Sequence, residues 1–435
     1  MMLITYIALF ILTPIIIFNL TRNIFNPIAF FCIYIFIGVY LRSLVLTNSE
    51  SEFGGTFWET VSWQLTSHLE TSLILLSATI LLTLIFCAIP FKRKNINNFI
   101  ARTFEIKESA ISVRRLTLIS VFFLISYLTL LSISQGGLGL AISILQKRSL
   151  VFDSEVFYIK IINIFFCTAV LISFYCKRTN PKSFTAITGF FTSTLIIISL
   201  ALLFLIGGRG AFLTQLLSLI FIYHITERKK GAATLLLPII IAASVLCSII
   251  FGLVIREAAQ KDLTFDEALQ GSTHQIVETV TGTFPIIDLF TSARYYADQT
   301  GHDYGIQFVN YFTRIIPRSI WPEKPLISGL EIRKFYSGHT LSGVPPTIFG
   351  EFYIAFGVIG LIICSIVLSL FLRFLSSLHQ HSQSNTGLSL LYITLLIQMI
   401  FSSLRAGLEI SIFTLIYYLT AIIIVKFLTY KHQLK

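Results

Sequence analysis

The chain is a succession of long apolar runs separated by short polar segments. LTLISVFFLISYLTLLSIS (116–134) and ATLLLPIIIAASVLCSIIFGLVI (233–255) each reach the ~20 residues that a helix needs to cross a bilayer. The short alternating segments of a membrane β-barrel are not the pattern here. The apolar runs predict about eleven spans, within a range of 10–12: 3–19, 27–46, 70–90, 116–134, 157–176, 184–206, 211–225, 233–255, 347–371, 388–404 and 410–425. The first run, LITYIALFILTPIIIF, has no basic n-region and no small-residue cleavage site, so it reads as a retained span. The predicted fold is an all-α polytopic integral membrane helical bundle, a single transmembrane domain over 1–435.

One segment breaks the alternation. Residues 256–346 form a single long loop between two spans, and loops of that length are functional or disordered. Its aromatic and aliphatic content (FPIIDLF, YGIQFVNYF) is enough for it to fold and cap the bundle. Within it lies RIIPRSIWPEKP (314–325), stiff and polar where most of the chain is apolar. No internal repeat is visible, which weighs against transporter folds built from repeated halves.

Charge then orients the spans. Only 12% of residues are charged, against about 25% in soluble domains. A net charge of +11 on a soluble protein would point to nucleic acid, but membrane proteins collect Lys and Arg in cytoplasmic loops. The basic loops 91–115, 177–183 and 226–231 fall on one side by alternation, which makes that side cytoplasmic. The tail KFLTYKHQLK follows them inside. The N-terminus and the 256–346 loop come out on the outer face. Six cysteines lie within or at the ends of the apolar runs without paired spacing and read as small core residues rather than disulfides or metal ligands.

Against this rule, three outward places carry cations. GGRGAF (207–212) joins two spans by a turn so short that Arg209 lies near the membrane surface, and SLRAGLE (403–409) does the same for Arg405. The long loop adds Arg314, Arg318, Lys324, Arg333 and Lys334. Glycines around Arg209 allow close backbone approach and point N–H groups at an anion. A snorkelling arginine on a simple turn is the plain alternative; the recurrence at Arg405 favours binding. Pro317, Pro322 and Pro325 make the RIIPRSIWPEKP backbone an extended track, which holds Arg314, Arg318 and Lys324 without loss of entropy on binding. Trp321 offers a flat face for a sugar ring or for the interface. His339 stands in the loop, and Glu351 lies just inside the next span, where ionisable groups are functional candidates. Arginine forks match phosphate oxygens, so this set of cations suits a lipid-linked pyrophosphate, with the aromatics suited to a glycan. No Asp-x-Asp or His/Cys cluster indicates a bound metal, and the scheme requires neither metal nor cofactor.

The order GGRGAF, IIPRSIWPEKP, HTLSGVPPTIFGEFYIAFGVIG, LRAGLE resembles the O-antigen polymerase family of oligosaccharide repeat-unit polymerases. The family pattern is a Gly-Gly-(x)-Arg turn, a WP-x-(K/R)-P segment, a histidine-bearing loop, a PT-x-x-G start of a span and a late R-x-G-L turn. The motif-bearing part covers roughly 200–410. The resemblance implies a membrane glycosyltransferase of the bacterial inner membrane acting on its periplasmic face. Its donor would be a growing glycan on undecaprenyl pyrophosphate and its acceptor a single lipid-linked repeat unit. A chain-length regulator would be a partner. By position, Arg209 matches the first arginine, Arg318 and Lys324 lie in the WP segment, His339 matches the loop histidine and Arg405 the late turn. Arg209, Arg318 and Arg405 are expected to clamp the pyrophosphate, with Arg314 and Lys324 in support, His339 as first candidate for the base and Glu351 as second. Two other readings compete. An O-antigen ligase shares the outward arginines, and the WP-x-KP segment favours the polymerase over it. A flippase or transporter requires charges deep within the spans, and there the sequence shows few.

Overall fold

With no water in the bilayer core to satisfy backbone N–H and C=O groups, apolar runs of this length close their hydrogen bonds internally as helices. The structure is a computed structural model that describes residues 5, 7–8, 12–16, 26–48, 56–89, 111–135, 137, 156–205, 209–228, 284–313, 321, 323, 325–338, 343–382 and 386–429. Most of these are helical, with no β-strand among the described residues. Among the described residues, seven helices are long and apolar enough to cross a membrane: Pro27–Leu46, Ser67–Ala88, Val113–Ile133, Ile161–Thr179, Ala186–Leu203, Thr347–Gln380 and Leu408–Thr429. They coincide with seven of the predicted spans. The predicted 233–255 span lies outside the described residues, and 3–19 does so for the most part. The predicted 211–225 span is a helix whose apolar part, Thr214–Thr226, is shorter. The 388–404 run is divided among Thr386–Leu395, a widened π-type turn at Leu396–Ser402 and Ser403–Ala406.

Residues Met1–Arg93, Val277–Ser376 and Leu396–Phe413 form one compact unit. Its first span comprises α1 (Pro27–Ile35), a widened turn at Phe36–Leu41 and α2 (Arg42–Asn48). Asn26 starts it, its side chain accepting the Ile28 N–H at 2.9 Å with Pro27 at the first position, as a helix N-terminus favours. The long helix α3 (Thr56–Ala88) follows.

The 277–346 part of the chain contributes three shorter helices to this unit. One is α8 (Ile286–Thr300), numbered after the four helices α4 to α7 described below. The others are α9 (Ile306–Thr313) and α10 (Ser328–Ser337). In α8, Ile286, Ile287, Leu289, Phe290 and Ala293 are fully or almost fully buried, and the helix packs along α3. Arg294 ties the two together, its Nη1 donating to the Ser72 hydroxyl and the His68 carbonyl of α3, both at 3.3 Å. Asp303 opens α9, its carboxylate accepting the N–H groups of Gly305 at 2.9 Å and Gln307 at 3.1 Å.

The span α11 (Thr347–Ser382) is broken at Phe356 and Gly357, where φ/ψ reach −141/15° and 60/−137°. The break frees the Ile354 carbonyl, which accepts the Asp303 N–H at 3.1 Å. Gly357 is required here. Its backbone lies where only glycine is unstrained, and a Cβ would meet the His302 ring at 2.9 Å. Gly357→Ala is therefore expected to cost on the order of 1–3 kcal/mol, read as a lower thermal midpoint of the purified protein in detergent. An unchanged midpoint would mean that the break is not kept.

The second unit consists of Lys94–Ile276, Ser377–Leu395 and Thr414–Lys435. It contains α4 (Val113–Gln135), α5 (Val156–Thr179), α6 (Ala186–Leu205), α7 (Arg209–Arg228), α12 (Thr386–Leu395) and most of α14 (Leu408–Thr429). α4 packs closely on α5, and Leu116, Ile172, Tyr175, Ile222, Leu390, Ile422 and Val425 share one core cluster. The basic turn after α5 is tied down by Lys177, whose ammonium donates to the Gly189 carbonyl and the Ser193 hydroxyl, both at 2.8 Å.

Candidate functional site: the Arg405 turn

Among the described residues, both widened turns of the first unit are followed by a helical segment that carries an arginine. Such turns frequently occur at functional sites. Phe36–Leu41 precedes Arg42, and Leu396–Ser402 precedes the single turn α13 (Ser403–Ala406), which carries Arg405. α13 ends at Gly407, at φ 90°, whose N–H donates to the Ser403 carbonyl at 3.1 Å. α14 begins at the next residue. A Cβ on Gly407 would run into the carboxylate of Glu351. That carboxylate accepts the Leu408 N–H at 2.6 Å. Glu351 thus caps α14 from another helix, its carboxyl oxygen taking up an N–H that the helix start leaves unpaired.

The surroundings of Glu351 are polar and closed. Glu351 is 2% exposed. Its backbone carbonyl accepts from the Gln307 side chain of α9, and the Ser328 hydroxyl at the start of α10 donates to Gln307 Oε1 at 2.6 Å. The Tyr311 hydroxyl, also from α9, is buried near the carboxylate. Burial holds its phenol well above the usual tyrosine range, so Tyr311 stays neutral throughout the physiological range. Glu409 is a second buried carboxylate within electrostatic reach.

The segment PTIFGE explains itself in these terms. Thr347 starts α11 at φ 64° and is fully buried, an unfavourable backbone for a β-branched residue. Its hydroxyl accepts the Gly350 N–H at 3.2 Å, as an N-cap does. Gly350 lets α8 come close, since a Cβ there would lie 2.7 Å from the Ala293 methyl. Glu351 follows and reaches the Arg405 turn.

Arg405 itself is partly exposed and makes no ion pair with another described residue. α13 packs against α8, and Tyr34 of α1 lies within electrostatic reach of the guanidinium. Arg42 differs in being buried and paired: its Nη2 lies 2.9 Å and its Nε 3.0 Å from Asp288 Oδ2.

Of the residues singled out in the sequence, Glu351 and the Arg405 turn are brought together. Trp321 is 38% exposed. Arg209 is the first residue of α7, in the second unit, and its side chain is outside the described part. Arg314, Arg318, Lys324 and His339 lie outside the described residues. Sequence reasoning missed Gln307, Tyr311, Asp288 and Arg42. For Arg42 the signal was present, a cation inside the end of a predicted span. The other three sit in what reads as loop.

Fold and site together define a multi-pass membrane protein built of helices, with an arginine held on a fixed turn beside a buried carboxylate. The chain belongs to the O-antigen polysaccharide polymerase Wzy family, whose family model matches residues 1–433. It is thus a polymerase of O-antigen repeat units, with a polymerising glycosyltransferase-type activity on lipid-linked oligosaccharides. Comparison with curated proteins and with solved structures yields no match.

Proposed function

We propose that this protein extends the O-antigen on the periplasmic face of the bacterial inner membrane, taking undecaprenyl-pyrophosphate-linked glycan as donor and one undecaprenyl-pyrophosphate-linked repeat unit as acceptor. The observation that carries this reading is Arg405: a guanidinium without an ion pair among the described residues, on a turn whose position is set from outside by Glu351. A preformed cation of this kind costs little to organise when charge develops on a leaving pyrophosphate.

In the step, an acceptor hydroxyl oxygen attacks the anomeric carbon at the reducing end of the donor glycan. The bond from that carbon to the pyrophosphate oxygen breaks, and undecaprenyl pyrophosphate leaves with the electron pair. The hydroxyl proton passes to a base. Arg405, Arg209 and Arg318 stabilise the leaving pyrophosphate, with Arg314 and Lys324 in support, and Trp321 stacks on a sugar. His339 takes the proton. A chain-length regulator is the protein partner of this reading.

The test is a gel of lipopolysaccharide from cells with and without the gene. Loss of the ladder, leaving core plus one repeat unit, is expected. Loss of every O-antigen band would overturn the polymerase in favour of a ligase or flippase role. His339→Ala, returned to the deletion strain, is expected to lower the extension rate by about 10²–10⁴; normal ladders from it would remove His339 as the base. Arg318→Lys at full activity would remove the bidentate clamp at that residue.

A further inference from the structure

We infer that Glu351 is a positioning residue that works through Arg405. It holds the Arg405 turn at the head of α14 and, through Gln307 and Ser328, couples that turn to the chain emerging from the WPEKP segment. The inference rests on the reading of Arg405 as a pyrophosphate ligand.

Three observations carry it. The carboxylate is committed, since Oε2 accepts the Leu408 N–H at 2.6 Å and the space beside it is closed by Gly407, where any side chain would collide with it. The residue is inaccessible at 2% exposure, whereas a base must come within about 3 Å of the acceptor hydroxyl or reach it through one water. Finally, Glu351 is a junction. Its carbonyl accepts from Gln307, Gln307 accepts from Ser328 at 2.6 Å, and Ser328 stands three residues after Pro325. Ser328, Gln307, Glu351 and Leu408 thus form one continuous hydrogen-bonded chain from the end of the proline-rich segment to the arginine turn. Tyr311 and Glu409 complete the wall around the carboxylate. Such a chain ties the start of α10 to the Arg405 turn, and a misplacement of about 1 Å at a reacting centre costs on the order of 10² in rate.

The experiment uses the full chain, purified and reconstituted with lipid-linked repeat units, in four variants: Glu351→Gln, Glu351→Ala, Arg405→Ala and the double alanine. The side-chain amide of E351Q still offers a carbonyl oxygen to the Leu408 N–H, so E351Q is expected within about fivefold of the wild-type rate, the loss being at most that of one weakened hydrogen bond. E351A is expected to fall about 10²-fold, and the double variant to be no slower than R405A. Hydrogen exchange at the Leu408 amide is expected to accelerate in E351A and to stay near wild type in E351Q. E351Q as inactive as E351A makes Glu351 a base and overturns the inference. A double variant slower than R405A by the full E351A factor makes the two residues independent and also overturns it. If E351A does not fold, the E351Q rate and its exchange decide. R405A at full activity removes Arg405 as a pyrophosphate ligand, and the exchange measurement then stands alone: an unchanged Leu408 amide in E351A overturns the anchoring of the turn.

Discussion

Arg405→Ala is expected to slow chain extension by about 10²–10³, the usual loss when one preorganised donor to a developing oxyanion is removed, while the protein inserts and folds as before. The fold is spared because Arg405 has no ion pair to lose among the described residues, and the turn that carries it is fixed by backbone groups and by Glu351. Arg405→Lys is expected to recover only part of the rate. A lysine restores the charge but presents one ammonium in place of a planar fork with five donors, and the turn cannot shift to compensate, since Gly407 is pressed against the Glu351 carboxylate. Ladder length in cells and the initial rate with purified lipid-linked units check both variants. A wild-type rate in R405A would remove Arg405 from the site.

The second large effect is on stability. Arg42→Ala or Asp288→Ala is expected to cost about 3–5 kcal/mol, the penalty for leaving one member of a buried pair without its partner. Arg42 is 5% and Asp288 3% exposed, so water has little access to take over. Changing both residues together, Arg42→Met with Asp288→Leu, is expected to restore most of the loss, because apolar groups of similar volume replace buried pairs at little cost. The check is a denaturation midpoint in detergent for the two single variants and the pair. If Asp288→Ala unfolds at the wild-type midpoint, α8 is held by its apolar face alone. If the pair is no better than either single change, the ion pair has a role beyond holding α8 in place.

The helical spans were legible in the chain because their cause is local. A run of about 20 apolar residues in a bilayer has one way to satisfy its own backbone, and seven such helices stand where the pattern puts them. What interrupts a span was less legible. The run 388–404 reads as continuous, yet it widens at Leu396–Ser402 and ends in the short Arg405 turn, since apolar content does not count hydrogen-bond register. The break in α11 at Gly357 was equally hidden. A glycine in a span reads as a packing site, and only the Asp303–Ile354 hydrogen bond and the His302 ring show what the break accommodates.

The site divides in the same way. Composition and spacing singled out Arg405 and Glu351, because a cation on a short turn and an acid inside a span each break the rules that govern their neighbours. Their relation is not in the sequence. Glu351 and Leu408 are 57 residues apart, and the side chains that close around them, Gln307 and Tyr311, come from what reads as an extramembrane loop. Arg42 and Asp288 are 246 residues apart. The amino-acid sequence by itself determined that the chain lies in a membrane, where its long helices run and which charged residues depart from their apolar neighbours, since each of those follows from transfer energies of neighbouring residues. The tertiary structure alone decided which of those residues meet. A carboxylate serves as base, helix cap or ion-pair partner according to the donors that packing places within about 3 Å of it, and here packing has given Glu351 the start of α14 and Asp288 the guanidinium of Arg42.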